Sequence, residues 1–210
     1  MPPNNLGRRR ALADAAIDLL ASSGVHGVTH RAVERLSGLP TGTASNYFRS
    51  REALLVAAAE RVVELHFADM DRAAGQHEAG DDVRLVDLLT ESLLGAATTS
   101  RDRYLAIFEL QMEAVRRPVL ASALAGLQGT ATRFTAGHHD ELGLAIPREK
   151  IPALIALYGG ALFTLVTAPP ERVDREVVQG VVHTIVYGCG VPEDVVARNL
   201  GAAGGDGRGI

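Results

Sequence analysis

Apolar residues recur along the chain at the three- and four-residue intervals of amphipathic helices, and no stretch alternates as a strand would. Over residues 7–23 the inward set is Leu12, Ala15, Ala16, Ile17, Leu19 and Leu20, with Gly24 as the stop. Thr29 offers a cap to a short helix whose inward positions are Ala32, Val33 and Leu36. Gly38 suits the positive φ of a turn, Leu39 plugs that turn from inside, and Pro40 cannot prolong the helix. A second short helix over 41–47 is small and polar on its outer side: Thr41, Gly42, Thr43, Ser45 and Asn46. Two helical turns are not stable alone, so neighbours must hold this segment while it presents its polar side outward. A helix–turn–helix entering a DNA major groove has this plan.

Ser50 caps the next helix, with Glu52 in its first turn; Leu54, Leu55, Ala58, Val62 and Leu65 carry the pattern to about residue 74. A polar loop, 75–82, separates it from five further helical segments over 82–99, 101–117, 118–141, 148–168 and 171–188. Gly126 and Gly129 weaken the third of these, and the fourth is apolar nearly all round. A short helix over 191–200 precedes a glycine-rich tail, 201–210, whose composition predicts disorder. The expected fold is all-α. A three-helix head (1–52) contains the helix–turn–helix, and a helical body (53–200) follows.

Charge sharpens this division. Residues 1–52 hold seven arginines against four carboxylates, a net of +3, whereas the remainder holds 14 basic and 21 acidic residues, a net of −7. A basic head on an acidic body suits contact with nucleic acid at one end only. The single cysteine, Cys189, excludes a disulfide framework and a cysteine-rich zinc finger. Asp14 and Asp18 interrupt the first helix, so it is not a signal-type apolar segment, and a cytoplasmic protein is expected. The apolar run 151–168 contains Pro152, Tyr158, Gly159, Gly160, Thr164 and Thr167 and reads as an interface helix rather than a membrane span. His138, His139, Asp140 and Glu141 do not read as a metal site, because adjacent histidines point about 100° apart on a helix.

The series Thr29, Val33, Gly38, Leu39, Gly42-Thr43, Tyr47-Phe48, Ser50, Arg51, Glu52 and Leu54 resembles the DNA-binding head of TetR-type transcriptional regulators. The match spans the first quarter of the chain, where that family carries its head. The resemblance implies DNA contacts from Arg31, Thr41, Gly42, Thr43, Ser45, Asn46 and Tyr47. Arg31 and Asn46 have the donors and acceptors to read guanine and adenine edges. Thr43, Tyr47, His30 and Arg51 suit phosphate oxygens, and Gly42 permits close backbone approach. Arg8, Arg9 and Arg10 open the first helix against its macrodipole, which suits phosphate or minor-groove contact. The chain departs from the family pattern at Ala44, where many members carry a bulky residue, and at Ser45-Asn46, where they carry aromatics; Phe48 reads as core.

For the body, the resemblance implies an effector pocket, with Phe67, Met70, Tyr104, Phe108, Met112 and Phe134 as its apolar and aromatic lining. The plain alternative is that these side chains form the body's core. It also implies that the last two long helices pair across a two-fold axis, bringing Ala156, Gly159, Gly160, Phe163, Val181 and Ile185 into a homodimer interface. The expected protein is a non-enzymatic, ligand-responsive repressor of a pseudo-palindromic operator, needing no metal or cofactor. A helical small-molecule-binding protein or enzyme, and an architectural DNA binder without effector control, are the rival readings; no Ser-His-Asp pattern, phosphate loop or nucleotide fingerprint favours the enzyme.

Overall fold

The computed structural model describes residues 3–74, 85–127 and 146–188, and every regular element among them is helical. These are α1 (Pro3–Gly27), α2 (His30–Ser37), α3 (Thr43–Tyr47), α4 (Arg51–Ala74), α5 (Leu85–Ala97), α6 (Arg101–Ala114), α7 (Pro118–Leu127), α8 (Ile151–Thr167) and α9 (Arg175–Tyr187). Single 3₁₀ turns, Arg148–Lys150 and Pro170–Arg172, lead into α8 and α9. The expected loop 75–82, the segment carrying Phe134 and His138–Glu141, Cys189, the helix over 191–200 and the tail lie outside the described residues.

Helix α1 starts four residues earlier than expected, and Gly24, at φ 65°, breaks its regular geometry at the predicted stop. Thr29 caps α2 by accepting from the Ala32 amide at 3.2 Å. Ser50 does the same for α4, accepting from Ala53 at 3.1 Å. Asp174 caps α9 through the Val177 amide at 2.9 Å. Each such cap contributes roughly 1 kcal/mol.

Two apolar clusters organise the chain. The first joins Leu12, Ala16 and Leu20 of α1, Val33 of α2, Phe48, and Leu54, Leu55 and Val62 of α4. It continues without a break into Ile107 and Leu110 of α6 and Leu120 and Leu124 of α7. The expected division after residue 52 falls at the start of α4, whose buried residues Leu54, Leu55 and Ala58 share this cluster with α1. The second cluster joins Leu89 and Leu93 of α5 with Leu165 and Val166 of α8 and Val178 and Val182 of α9. Tyr104 and Phe108 of α6 pack against both clusters and form the seam between them. Gly126 has a packing reason: a Cβ there would stand 3.3 Å from Val63 and 3.5 Å from Phe67, so α7 crosses α4 closely at that point.

Candidate nucleic-acid interface and body seam

The recognition segment is shorter than its sequence pattern suggests. Helix α3 begins at Thr43, not at residue 41, because Gly42 sits at φ 89° and the Thr43 amide donates to the Pro40 carbonyl in a turn. Gly42 thus serves the turn, in a conformation that a Cβ would strain. Gly38, at φ 67°, closes α2, and the Leu39 amide donates to the Glu34 carbonyl at 3.0 Å. Leu36, expected inward, is 50% exposed; the short α2 buries Val33 and Glu34 instead.

Glu34 is the functional residue least visible in the sequence. Its side chain is buried, at 4% exposure, and Oε1 accepts from the Ala44 amide at 2.8 Å. Gly42 has no side chain with which to cap α3, so a carboxylate from α2 supplies the missing acceptor. Ala44 is fully buried beside it, which leaves no room for the bulky residue many family members carry there.

On the outside of this pair, Arg31, Arg35, Thr41, Gly42, Ser45, Asn46 and Arg49 are exposed, and Thr43 and Tyr47 are half-buried. Among the described residues no carboxylate pairs with Arg31, Arg35 or Arg49. With Glu34 buried, this face presents arginines, hydroxyls and an amide, the side-chain types that contact phosphates and base edges. Arg35 and Arg49 join the expected set; the charge count contained them, but only the fold shows them on this face.

Four residues expected at DNA have partners within the chain. Arg51 donates through Nε to the Val28 carbonyl at 2.8 Å and through a terminal nitrogen to the Val25 carbonyl. The His30 ring hydrogen-bonds the Phe48 carbonyl through Nε2 at 2.8 Å. Arg9 pairs with Glu60 at 3.3 Å and lies 5.2 Å from the centre of the Phe48 ring, and Arg10 pairs with Glu64 at 2.7 Å. The α4 carboxylates thus pair α1 to α4 through these arginines, which lie beyond the first turn of α1. Arg8, on the same helix, is exposed.

At the body seam the expected lining is divided. Phe108 meets Phe163 edge-on, with centroids 5.1 Å apart. Tyr104 meets His66 edge-on at 6.1 Å, and the hydroxyls of Tyr158 and Ser92 share a hydrogen bond of 2.7 Å. Met70 is half-buried, and Phe67 packs against the bare side of Gly126. Met112 stands apart from them at 61% exposure, two residues, about 200° of helix, beyond the buried Leu110. A cleft of about 360 Å³ between α1, α4 and the start of α6 is lined by Asp14, Asp18, Arg61, Asp102 and Arg103. None of the expected effector residues lines it.

His66 was not singled out by its sequence context. Burial lowers its pKa, the Arg103 guanidinium lowers it further, and Asp69 opposes both. The folded chain therefore holds the ring neutral where the unfolded chain, with an ordinary value of 6.5, begins to bind a proton. That contribution to stability is present above the unfolded value and is lost as pH falls from it toward the lower folded value. Thermal melts between about pH 7.5 and about pH 5.5 should show Tm falling, with a shallower fall in His66→Gln. Equal slopes in the two proteins would contradict this assignment.

The expected dimer residues lie on an outward face. Ala156, Gly159, Gly160 and Phe163 are exposed on α8, Phe163 by 52%, while Val181 and Ile185 of α9 are half-buried. Leu157, Val177 and Tyr187, also exposed, widen this apolar face. A Cβ at Gly159, Gly160 or Gly180 would meet no atom of the chain within 4 Å.

A model of bacterial regulatory proteins of the tetR family matches residues 12–58, and one of the tetracyclin repressor-like C-terminal domain matches residues 80–188. The transcriptional regulator UidR of Escherichia coli (strain K12) is 25% identical over 129 residues, covering 61% of this chain and 62% of UidR. The matched part is thus less than two thirds of that relative. The multidrug binding protein EbrR, solved in complex with ethidium, aligns with a TM-score of 0.61 at 26% identity, over 85% of this chain and 98% of EbrR. A TetR family member from Streptomyces coelicolor A3 aligns with a TM-score of 0.63 at 26% identity, over 85% and 97% of the two chains. Helix–turn–helix, all-helical body and both matched regions agree in order along the chain, which belongs to the TetR family of bacterial regulatory proteins.

Proposed function

We propose that the chain is a ligand-responsive, non-enzymatic repressor that binds a pseudo-palindromic operator as a homodimer. The observation that carries this reading is the outer face of α2 and α3, where Ser45, Asn46 and Thr41 stand among Arg31, Arg35 and Arg49. The arginines supply phosphate attraction, and Asn46 and Arg31 have the geometry of donors that read bases. Glycine inside α8 costs roughly 1 kcal/mol relative to alanine, and no contact within the chain requires it at 159 or 160. Close approach of a second copy would use that bare surface, so the apolar α8–α9 face is read as a protein interface rather than a membrane-facing one. The effector would bind where Tyr104, Phe108, His66 and Tyr158 converge. EbrR, a structural relative, was solved in complex with ethidium, which makes aromatic cations the first compounds to screen.

Selection of bound duplexes from random DNA, followed by a salt series, tests the reading. Six arginines per dimer should give a slope of log affinity against log salt of about −5. Arg49→Ala should reduce that slope by about 2 per dimer without changing the selected sequence. Asn46→Ala should instead relax preference at one position per half-site, a loss of roughly 1–3 kcal/mol for the original base. Recovery of no preferred duplex would sink the repressor reading.

A further inference from the structure

The turn that launches the helix–turn–helix is held by a side chain from the body. The Val25 amide donates to Oε2 of Glu109, on α6, at 2.9 Å across 84 positions of sequence. The Val25 carbonyl accepts from Arg51, as does the Val28 carbonyl. Gly24, at φ 65°, turns the chain beside the Glu109 carboxylate in a conformation that favours glycine. Among the described residues Glu109 has no cationic partner, so its carboxylate is committed to one backbone N–H, a charge-assisted bond. Its neighbour Phe108 packs against both apolar clusters at the seam and also touches the Phe163 ring of α8. One turn of α6 therefore touches the body's interior through Phe108 and the head's first turn through Glu109.

We propose that Glu109 is the positioning residue that couples the body to the head, latching the α1–α2 turn to α6 so that a shift of α6 is carried to the recognition unit. This rests on the ligand-responsive reading above. The required element is a helix whose displacement both sites sense, and α6 meets that requirement with a rigid backbone and two adjacent side chains. Arg51 passes the constraint onward, since it grips the other side of the same turn and opens α4.

The test is a double-mutant cycle on the full-length protein. It uses a duplex recovered by selection from random DNA and measures amide exchange at Val25. Phe108→Ala loosens α6 at the seam and should change DNA affinity at least about fivefold while speeding Val25 exchange. In a Glu109→Ala background, Phe108→Ala should change both by less than about twofold. Glu109→Gln, which keeps an acceptor oxygen, should retain most of the coupling, whereas Glu109→Leu, of similar volume but with no acceptor, should lose it as Glu109→Ala does. If Phe108→Ala does not fold, Phe108→Leu replaces it. Effects of equal size with and without Glu109, or Val25 exchange unchanged in Glu109→Ala, would overturn the latch. Wild-type protein that binds no duplex specifically would defeat the repressor reading, and Val25 exchange in the four proteins would still decide the latch.

Discussion

Glu34→Ala is expected to weaken specific DNA binding by at least about tenfold and to destabilise the head by roughly 1–3 kcal/mol, the usual cost of stranding a buried polar group. The argument runs through α3. That helix has only five residues, starts after a glycine that cannot cap it, and depends on Glu34 Oε1 for the Ala44 amide. Removing the carboxylate leaves the amide buried without an acceptor and opens a void beside Val33 and Ala44, both at 0% exposure. Glu34→Gln keeps an oxygen in place and should retain most of the affinity and stability. Thermal melting and gel shifts on both variants check this. A Glu34→Ala protein with unchanged DNA affinity would show that α3 holds its position without the cap.

Gly160→Glu is expected to yield a monomer of unchanged helicity. A Cβ at this position meets nothing within 4 Å in the chain, so the folded subunit accommodates the substitution. A charge on the apolar α8–α9 face would be stripped of water by a second copy packed against it, at a cost that no partner charge is known to offset. Loss of the dimer separates the two heads, and affinity for a two-half-site operator should fall by roughly 10²–10⁴-fold as the avidity of linked sites disappears. Light scattering, far-ultraviolet circular dichroism and operator binding read these three effects separately. An intact dimer carrying glutamate at 160 would move the interface elsewhere.

Helix-forming pattern, caps and turn residues were legible because they act over three or four positions of sequence. Thr29, Gly38, Ser50 and Gly24 carry out in the fold the tasks their types predict. The interface was legible only as a set of residue types. Arg51 and Asn46 both looked available to DNA, yet Arg51 is occupied by two carbonyls of the head while Asn46 is exposed. Which arginine is free depends on acceptors up to 54 positions away, and hydrophobic periodicity carries no record of them. On α6, Met112 was grouped with the expected effector lining by residue type, but the buried stripe is Ala106, Ile107 and Leu110, and Met112 falls outside it.

The sequence by itself determined that the chain is helical, that a basic helix–turn–helix head precedes an acidic body, and that the small polar segment 41–47 faces outward. These follow from periodicity, capping chemistry and charge, which are local properties. The tertiary structure alone decided that Glu34 caps a helix it does not belong to, that Arg9, Arg10, His30 and Arg51 brace the head, and that Glu109 reaches from the body to Val25. Each of these is a polar group satisfied by a partner distant in sequence. A buried or half-buried donor takes whichever acceptor the packing of apolar helices brings within 3 Å, and only the packed chain specifies which one that is.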